Sequence, residues 1–288
     1  MMNPIPIRDL RQHRRDSAGF EYVYPVLSRR AGGISLGVNL NTNNACNWAC
    51  VYCQVPGLIR GSPAPIDLDR LESELKALVA DVVRGDWLQR LAATGTLAAQ
   101  TGQLVDIAFS GNGEPTLAPE FPLAVARVEK VMREFGLAQS IPLRLITNGS
   151  GVHRNTGRSG IARIGAMGGE VWFKVDRATR DGIWETNRVF VDPPIVRTRL
   201  VRCSELSATW VQTCWFALDQ ASPPANEERA YLDFVAGIRE RISGVHLYGV
   251  ARESMQPDGA RITRLPAEAL ETFAERIREI GVRVTVSP

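Results

Sequence analysis

The 288-residue chain is poor in lysine, histidine and cysteine, with three, three and five of them. No apolar run approaches the roughly 20 residues of a membrane span. The start, Met1-Met-Asn-Pro-Ile-Pro-Ile-Arg8, lacks the charged-then-apolar order of a signal peptide. No internal repeat, low-complexity segment or long linker interrupts the chain, so a single domain is the simplest account. A net charge of +3 is too small to argue for nucleic acid by itself. The expectation is a cytoplasmic protein with free thiols and no membrane partner. The hydrophobic fraction of 44% and charged fraction of 23% are those of an ordinary globular protein, and a chain this long buries about 75% of its unfolded surface without staples.

The few cysteines are not spread evenly. Cys46, Cys50 and Cys53 fall in one short run, Ala45-Cys-Asn-Trp-Ala-Cys-Val-Tyr-Cys-Gln54. Three thiolates can hold three corners of a cubane iron–sulfur cluster. Four-cysteine ligation is the usual closure, so a triplet leaves one iron open, as a catalytic metal keeps an open position. Clustered cysteines also serve zinc, but zinc sites usually need a fourth Cys or a His, and His13, His153 and His246 are all distant in sequence. Cys203 and Cys214 read as packed thiols.

Helix and strand periods alternate along the chain. Ile34–Asn41 reads as a first strand with the cysteine loop at its carboxyl end, and Asp67 can cap a helix bearing Leu68, Leu71, Leu75, Leu78 and Val82. Strands follow at Leu104–Ser110, Leu143–Asn148, Glu170–Asp176, Thr209–Leu218, Val245–Val250 and Val282–Val286. Helices are expected at Pro119–Phe135, Pro193–Leu206, Glu227–Ile242 and Pro266–Ile280, with a short one between Asn148 and Glu170. Repeated βα units imply a parallel sheet with helices outside. About six units predict an α/β fold, a partial (β/α)6 barrel spanning residues 34–288, with residues 1–33 as a basic extension packed on it. That extension carries Arg8, Arg11, Arg14, Arg15, Arg29 and Arg30, which either form a solvated arm or meet a phosphate backbone.

In parallel barrels sites form where strands end, and three further segments lie at such ends. Ser110-Gly-Asn-Gly-Glu-Pro-Thr-Leu117 has two glycines that let backbone approach a ligand, and Glu114 offers a carboxylate to a cationic amine; the same run could be a turn and a helix cap. Thr147-Asn148-Gly149 offers an amide for a hydroxyl or carboxylate, or only a turn. Alternation along Glu170–Asp176 puts Val171, Phe173 and Val175 on one face and Trp172, Lys174 and Asp176 on the other. The apolar face belongs against the helices, which points Lys174 and Asp176 inward as candidate catalytic residues. A buried charge needs a partner, so Lys174 meets Asp176, a cofactor carboxylate or a substrate group. Gln212, Cys214 and Phe216, then His246 and Tyr248, form the inward sets of the next strands, with Arg252 just beyond.

At the cysteine spacing the chain resembles the radical S-adenosylmethionine superfamily. The resemblance implies one [4Fe-4S] cluster on Cys46, Cys50 and Cys53, whose open iron chelates the amino and carboxylate groups of S-adenosyl-L-methionine. Reductive cleavage to a 5'-deoxyadenosyl radical follows from the same resemblance. It also implies cofactor contacts from Tyr52, from Ser110, Gly111, Asn112, Gly113 and Glu114, and from Asn148. Gly-Asn-Gly-Glu-Pro-Thr-Leu, Thr-Asn-Gly-Ser and Trp-Phe-Lys-Val-Asp are most like the wyosine-synthase-like branch. Members of that branch carry a second cluster on three further cysteines, for which Cys203 and Cys214 do not suffice. The implied electron donor is a low-potential flavodoxin-like or ferredoxin-like protein. The expected substrate is a small molecule or a peptide or protein residue, the alternatives being a transfer RNA base or a non-catalytic iron–sulfur sensor. The loop Val55–Ile66 and the stretch Gly149–Gly160 are candidate covers.

Overall fold

A computed structural model describes residues 19–84 and 103–288. The basic residues Arg8, Arg11, Arg14 and Arg15 lie outside them. The strands are β1 (Val23–Ser28), β2 (Gly33–Val38), β3 (Ala45–Cys46), β4 (Ile59–Arg60), β5 (Leu104–Phe109), β6 (Leu143–Thr147), β7 (Glu170–Lys174), β8 (Ala208–Cys214), β9 (Ala217–Leu218), β10 (Gly244–Tyr248), β11 (Ile262–Thr263) and β12 (Val284–Ser287). The helices are α1 (Leu68–Arg84), α2 (Phe121–Glu134), α3 (Asn155–Ala166), α4 (Arg180–Asn187), α5 (Pro193–Ser204), α6 (Ala225–Ala236) and α7 (Ala267–Glu279). One eight-stranded sheet runs in the order β1-β2-β5-β6-β7-β8-β10-β12. All its pairings are parallel except that of β1 with β2. The sheet curls into a half-barrel, and six βα units with a closing strand make the α/β partial barrel expected from the alternation.

The two faces of the sheet differ as the alternation demands. Outward, Leu36, Ile107, Phe109, Leu145, Val171, Phe173, Val211, Val245 and Leu247 are all fully buried beneath the helices. Each contributes about 1.5–3 kcal/mol by leaving water. The helices answer with their own stripes: Leu71, Leu75 and Leu78 on α1, Val125, Val128 and Met132 on α2, Leu270, Phe273 and Ile277 on α7. Asp67 caps α1 as expected, its Oδ1 accepting from the amides of Asp69 and Arg70 at 3.1 and 2.9 Å. Inward, the same strands present Ser35, Asp106, Arg144, Trp172, Lys174, Gln212, Cys214 and Tyr248. A polar interior under an apolar shell marks the concave side as the place for chemistry.

Several boundaries differ from the sequence reading. Val23–Ser28, placed by the sequence in the basic extension, is an edge strand of the sheet, with Val23 opposite Val38. Strand β2 stops at Val38, because the Asn39 side chain accepts from the amides of Asn41 and Asn112 at 3.0 and 3.1 Å and turns the chain away. Helix α4 was not foreseen: its eight residues are mostly polar, and it starts at Thr179, whose hydroxyl accepts from the Gly182 amide. Helix α6 ends at Ala236 rather than Ile242, a short 3-10 turn at Arg239–Arg241 following. Among the described residues no helix is long and apolar enough to cross a membrane.

Candidate active site

The cysteine loop follows β2 at the carboxyl end of the sheet, and hydrogen bonds tie it down on every side. Within the loop, Asn41 Nδ2 donates to the Ala45 carbonyl at 2.9 Å, and toward Ser110–Glu114, Asn112 Nδ2 donates to Asn44 Oδ1 at 2.6 Å. Toward the end of β6, Asn148 Nδ2 donates to Asn47 Oδ1 at 3.1 Å, and Asn47 Nδ2 donates to the Ser150 hydroxyl at 2.8 Å. Toward α4, the amides of Ala49 and Val51 donate to the carbonyls of Asn187 and Thr186. From the far end of the chain, the Ser254 hydroxyl donates to the Val51 carbonyl, and Gln256 Nε2 donates to the carbonyls of Cys53 and Val55. The sequence reading named Asn112 and Asn148 but missed Asn41, Asn44, Asn47 and Asn187. Their local signal was the density of Asn39, Asn41, Asn43 and Asn44 just ahead of Cys46, whereas Asn187, Ser254 and Gln256 have none.

Two glycines are required by this packing. Gly111 sits at φ +132°, a region that L side chains rarely adopt. A Cβ at Gly113 would lie 2.2 Å from the Ala45 carbonyl oxygen, so only glycine lets the two loops touch.

Two cavities open here. The smaller, about 150 Å³, is lined by Cys46, Cys50, Cys53, Ser110, Gly111, Asn112, Gly113, Glu114, Asn148, Tyr52 and Lys174. The larger, about 230 Å³, fills the concave side of the sheet and includes Arg30, Asp106, Trp172, Gln212, Cys214 and Tyr248 in its wall. Tyr52, Cys53, Ser110, Gly111, Ile146 and Lys174 border both. Every expected site residue except Asp176 thus meets in the smaller cavity.

Asp176 does not line these cavities; its contacts make it a positioning residue. Its carboxylate accepts from the Tyr52 hydroxyl at 2.5 Å, Asn187 Nδ2 at 2.8 Å and the Cys214 amide at 2.9 Å. Lys174 Nζ lies 3.8 Å from it and donates to the Tyr52 hydroxyl. Burial alone would lower the Lys174 pKa, but the Asp176 charge beside it holds the ammonium well above its ordinary value. The same burial, with Asp176 next in effect, pushes the Tyr52 phenol up. Lys174 is therefore a fixed cation between the two cavities.

Glu114 is equally committed. One oxygen accepts from the Thr116 amide and hydroxyl and the Thr147 hydroxyl, the other from the Asn148 amide at 2.6 Å. Burial raises its pKa and these donors pull it back. Glu114 thus also braces the Gly-Asn-Gly loop against β6, four donors converging on it while it lines the smaller cavity. Asn148 is similarly engaged, its Oδ1 accepting from the Ser150 amide. The Ser110 hydroxyl pairs with that of Tyr24 at 2.8 Å. Of the candidate covers, Gly149–Gly160 runs into helix α3, and Ile59–Arg60 of the other is pinned as β4 beside β3.

The thiols fit a cubane cluster by the chemistry of the donor set. Among the described residues no group of three Cys, His, Asp or Glu is placed to hold a single ion; a cluster asks instead for one thiolate on each of three irons. Burial pushes Cys46 up to about 12, with the Trp48 amide bond opposing. It pushes Cys50 up to about 11, with Lys174 opposing. Such thiols give up their protons to a metal. Cys50 also accepts from Asn187 Nδ2 at 3.3 Å, a second-layer contact of the kind that orients a ligand.

His246 and Cys203 line neither cavity, whereas Cys214 sits in the wall of the larger one. His246 stacks on Trp210 at 4.4 Å and pairs with the Thr285 hydroxyl. Burial lowers its pKa to about 4, with the Arg30 charge adding. Both spare cysteines are buried free thiols.

Comparison with known proteins places the fold. No family model matches the chain. Over 139 residues it is 27% identical to the GTPase Obg of Brachyspira hyodysenteriae, covering 47% of this chain and 16% of that protein. Over 170 residues it is 29% identical to UPF0026 protein MJ1312 of Methanocaldococcus jannaschii, covering 58% and 44%. The chain thus spans less than half the length of either curated relative. Among solved structures it resembles TYW1 with a lysine–pyruvate adduct bound, at TM-score 0.54 and 13% identity over 86% of this chain and 74% of that one. A radical SAM methyltransferase from Sphaerobacter thermophilus gives 0.57 and 15%, over 88% and 66%. Streptococcus suis SuiB bound to S-adenosylmethionine gives 0.52 and 11%, over 90% and 49%. The chain has the fold of the radical S-adenosylmethionine superfamily.

Proposed function

We propose that the chain is a radical S-adenosylmethionine enzyme, with Cys46, Cys50 and Cys53 holding a [4Fe-4S] cluster and Ser110–Glu114, Asn148 and Tyr52 bordering the cofactor. The observation that carries this reading is the shared cavity: three cysteines of one loop meet the Gly-Asn-Gly-Glu loop and Asn148 there. When bound, the cluster supplies the electron that cleaves S-adenosylmethionine to methionine and a 5'-deoxyadenosyl radical, drawing on a flavodoxin-like or ferredoxin-like donor. The chain's own residues do the rest. Gly111 and Gly113 bring backbone close to the cysteine loop, and Glu114 keeps the end of β6 in register with them. Tyr52 and Lys174, fixed by Asp176, separate the cofactor cavity from the larger one, where the substrate is held against the polar residues of the concave side.

TYW1, by its description, carries a lysine–pyruvate adduct. Lys174 here is held as a cation by Tyr52 and Asp176, and an ammonium is no nucleophile; we therefore assign it to substrate charge rather than to adduct formation. The transfer RNA reading rests on the Arg-rich N-terminal segment, of which Arg8, Arg11, Arg14 and Arg15 lie outside the described residues, and stands as the alternative.

Anaerobic reconstitution with iron and sulfide, reduction with dithionite and addition of S-adenosylmethionine tests the proposal. The expected product is 5'-deoxyadenosine, lost in Cys50→Ala. A reduced, fully loaded protein that forms none would overturn it in favour of a sensor.

A further inference from the structure

The wall of the larger cavity is weighted toward one charge. Among the described residues, Arg29, Arg30, Arg144, Lys174 and Arg252 line it against the single carboxylate of Asp106. Arg144 is already engaged, donating to Asp106 and Glu170. Arg30 is different. Its guanidinium carbon lies 4.5 Å from the Tyr248 ring centre and 5.8 Å from that of Trp172, and among the described residues no carboxylate pairs with it. A guanidinium resting on aromatic faces keeps its in-plane N–H donors for a ligand.

Strand register shows what lies beside it. Trp172 belongs to β7 and Tyr248 to β10, and β8 runs between them. A group in reach of both rings must cross β8, where Gln212 and Cys214 face the cavity. Gln212 is the register partner of Lys174 on one side and of His246 on the other. It is only 1% exposed, and among the described residues its Nε2 has no hydrogen-bond partner. A buried amide donor left without an acceptor is rare. It becomes ordinary if a ligand supplies the acceptor.

We infer that Arg30, Lys174 and Gln212 form an anion subsite that takes the carboxylate of a small organic acid. A planar carboxylate matches the arginine fork and leaves an oxygen for the amide, and about 230 Å³ suits a small molecule. Asp106 Oδ1, the other buried atom of this wall without a partner among the described residues, supplies an acceptor for a hydroxyl or amine on the same ligand. The inference deepens the proposed function by naming its substrate class. It rests on that reading for the chemistry done to the acid, not for its binding.

Equilibrium dialysis of the full chain tests it, with labelled succinate, glutamate and citrate as probes. Uncharged succinamide, inorganic phosphate and a capped Gly-Glu-Gly peptide are the comparisons. The expected result is saturable binding of at least one acid and none of succinamide. Gln212→Leu and Arg30→Gln should weaken it by about 10- to 100-fold, and Arg30→Lys should recover part of the loss. Circular dichroism checks that each variant folds; should Gln212→Leu fail, Gln212→Glu replaces it and should repel the acid. Four results would overturn the inference: no acid binds, phosphate binds as well, the peptide binds better than the free acids, or the variants bind unchanged. Cleavage of S-adenosylmethionine by a protein that binds none of the three acids in dialysis would remove this inference alone. Acid binding without cleavage would remove only the radical reading.

Discussion

Gly113 and Gly61 both face Ala45, and the difference between them isolates what holds the cysteine loop in place. A methyl at Gly113 would stand 2.2 Å from the Ala45 carbonyl oxygen and 2.5 Å from the Asn41 Nδ2 that donates to it. At Gly61 the added methyl would meet the Ala45 side chain at an ordinary 3.5 Å. Restoring contact distance at Gly113 takes about 1 Å of movement in a close-packed region. Overpacking of this kind costs about 1–3 kcal/mol, and losing the Asn41–Ala45 hydrogen bond adds about 1–3 kcal/mol. Gly113→Ala should therefore destabilise the apoprotein by about 2–6 kcal/mol, while Gly61→Ala stays within about 0.5 kcal/mol of the parent. Ala45 cannot move without Cys46, and metal sites tolerate only about 0.2 Å in ligand distance. Iron and sulfide content after reconstitution should then fall in Gly113→Ala and hold in Gly61→Ala. Urea denaturation reads the first effect and metal analysis the second. A Gly113→Ala protein as stable and as fully loaded as the parent would refute the close-packing argument.

Two further outcomes concern the supports of the site. Asp176→Asn leaves the Lys174 ammonium buried without its counter-charge and should cost about 3–5 kcal/mol in urea denaturation; adding Lys174→Met should return part of that, and strictly additive losses would show that the two residues are not coupled. His246, only 8% exposed, takes up a proton near pH 6.5 when unfolded and near pH 4 when folded. Its contribution is present above pH 6.5 and lost as the pH falls toward 4, about 3 kcal/mol in all. The urea midpoint should drop more between pH 7.5 and 5 in the parent than in His246→Phe, and parallel curves would place the titration elsewhere.

Much of the fold was legible because burial imposes period. Val171 and Phe173 alternate with Trp172 and Lys174, and a helix-covered sheet leaves one way to face them. The edge strand Val23–Ser28 was hidden, because an antiparallel strand next to a turn has no helix after it to reveal it. Helix α4 was hidden because its polar surface carries no apolar stripe, and its position depends on Asn187 and Thr186 meeting the cysteine loop. The candidate site was legible at its donors and glycines and illegible in its bracing. Asn47 meets Asn148 and Ser150, and Gln256 meets Cys53, only after the chain has closed on itself.

What the sequence determined alone was the donor chemistry, three thiols at a fixed spacing, and the order of βα units that sets the loops at one end of the sheet. Residue type and local period carry those facts. Tertiary structure decided the roles: Glu114 became a brace as well as a cavity-lining carboxylate, Asp176 a support beneath Tyr52 and Lys174, and Arg30 part of a cavity wall rather than of a solvated arm. Each outcome depends on which donors, rings and charges arrive from strands distant in sequence, and hydrogen bonds and ion pairs at 3 Å are invisible to a pattern that reads only neighbours along the chain.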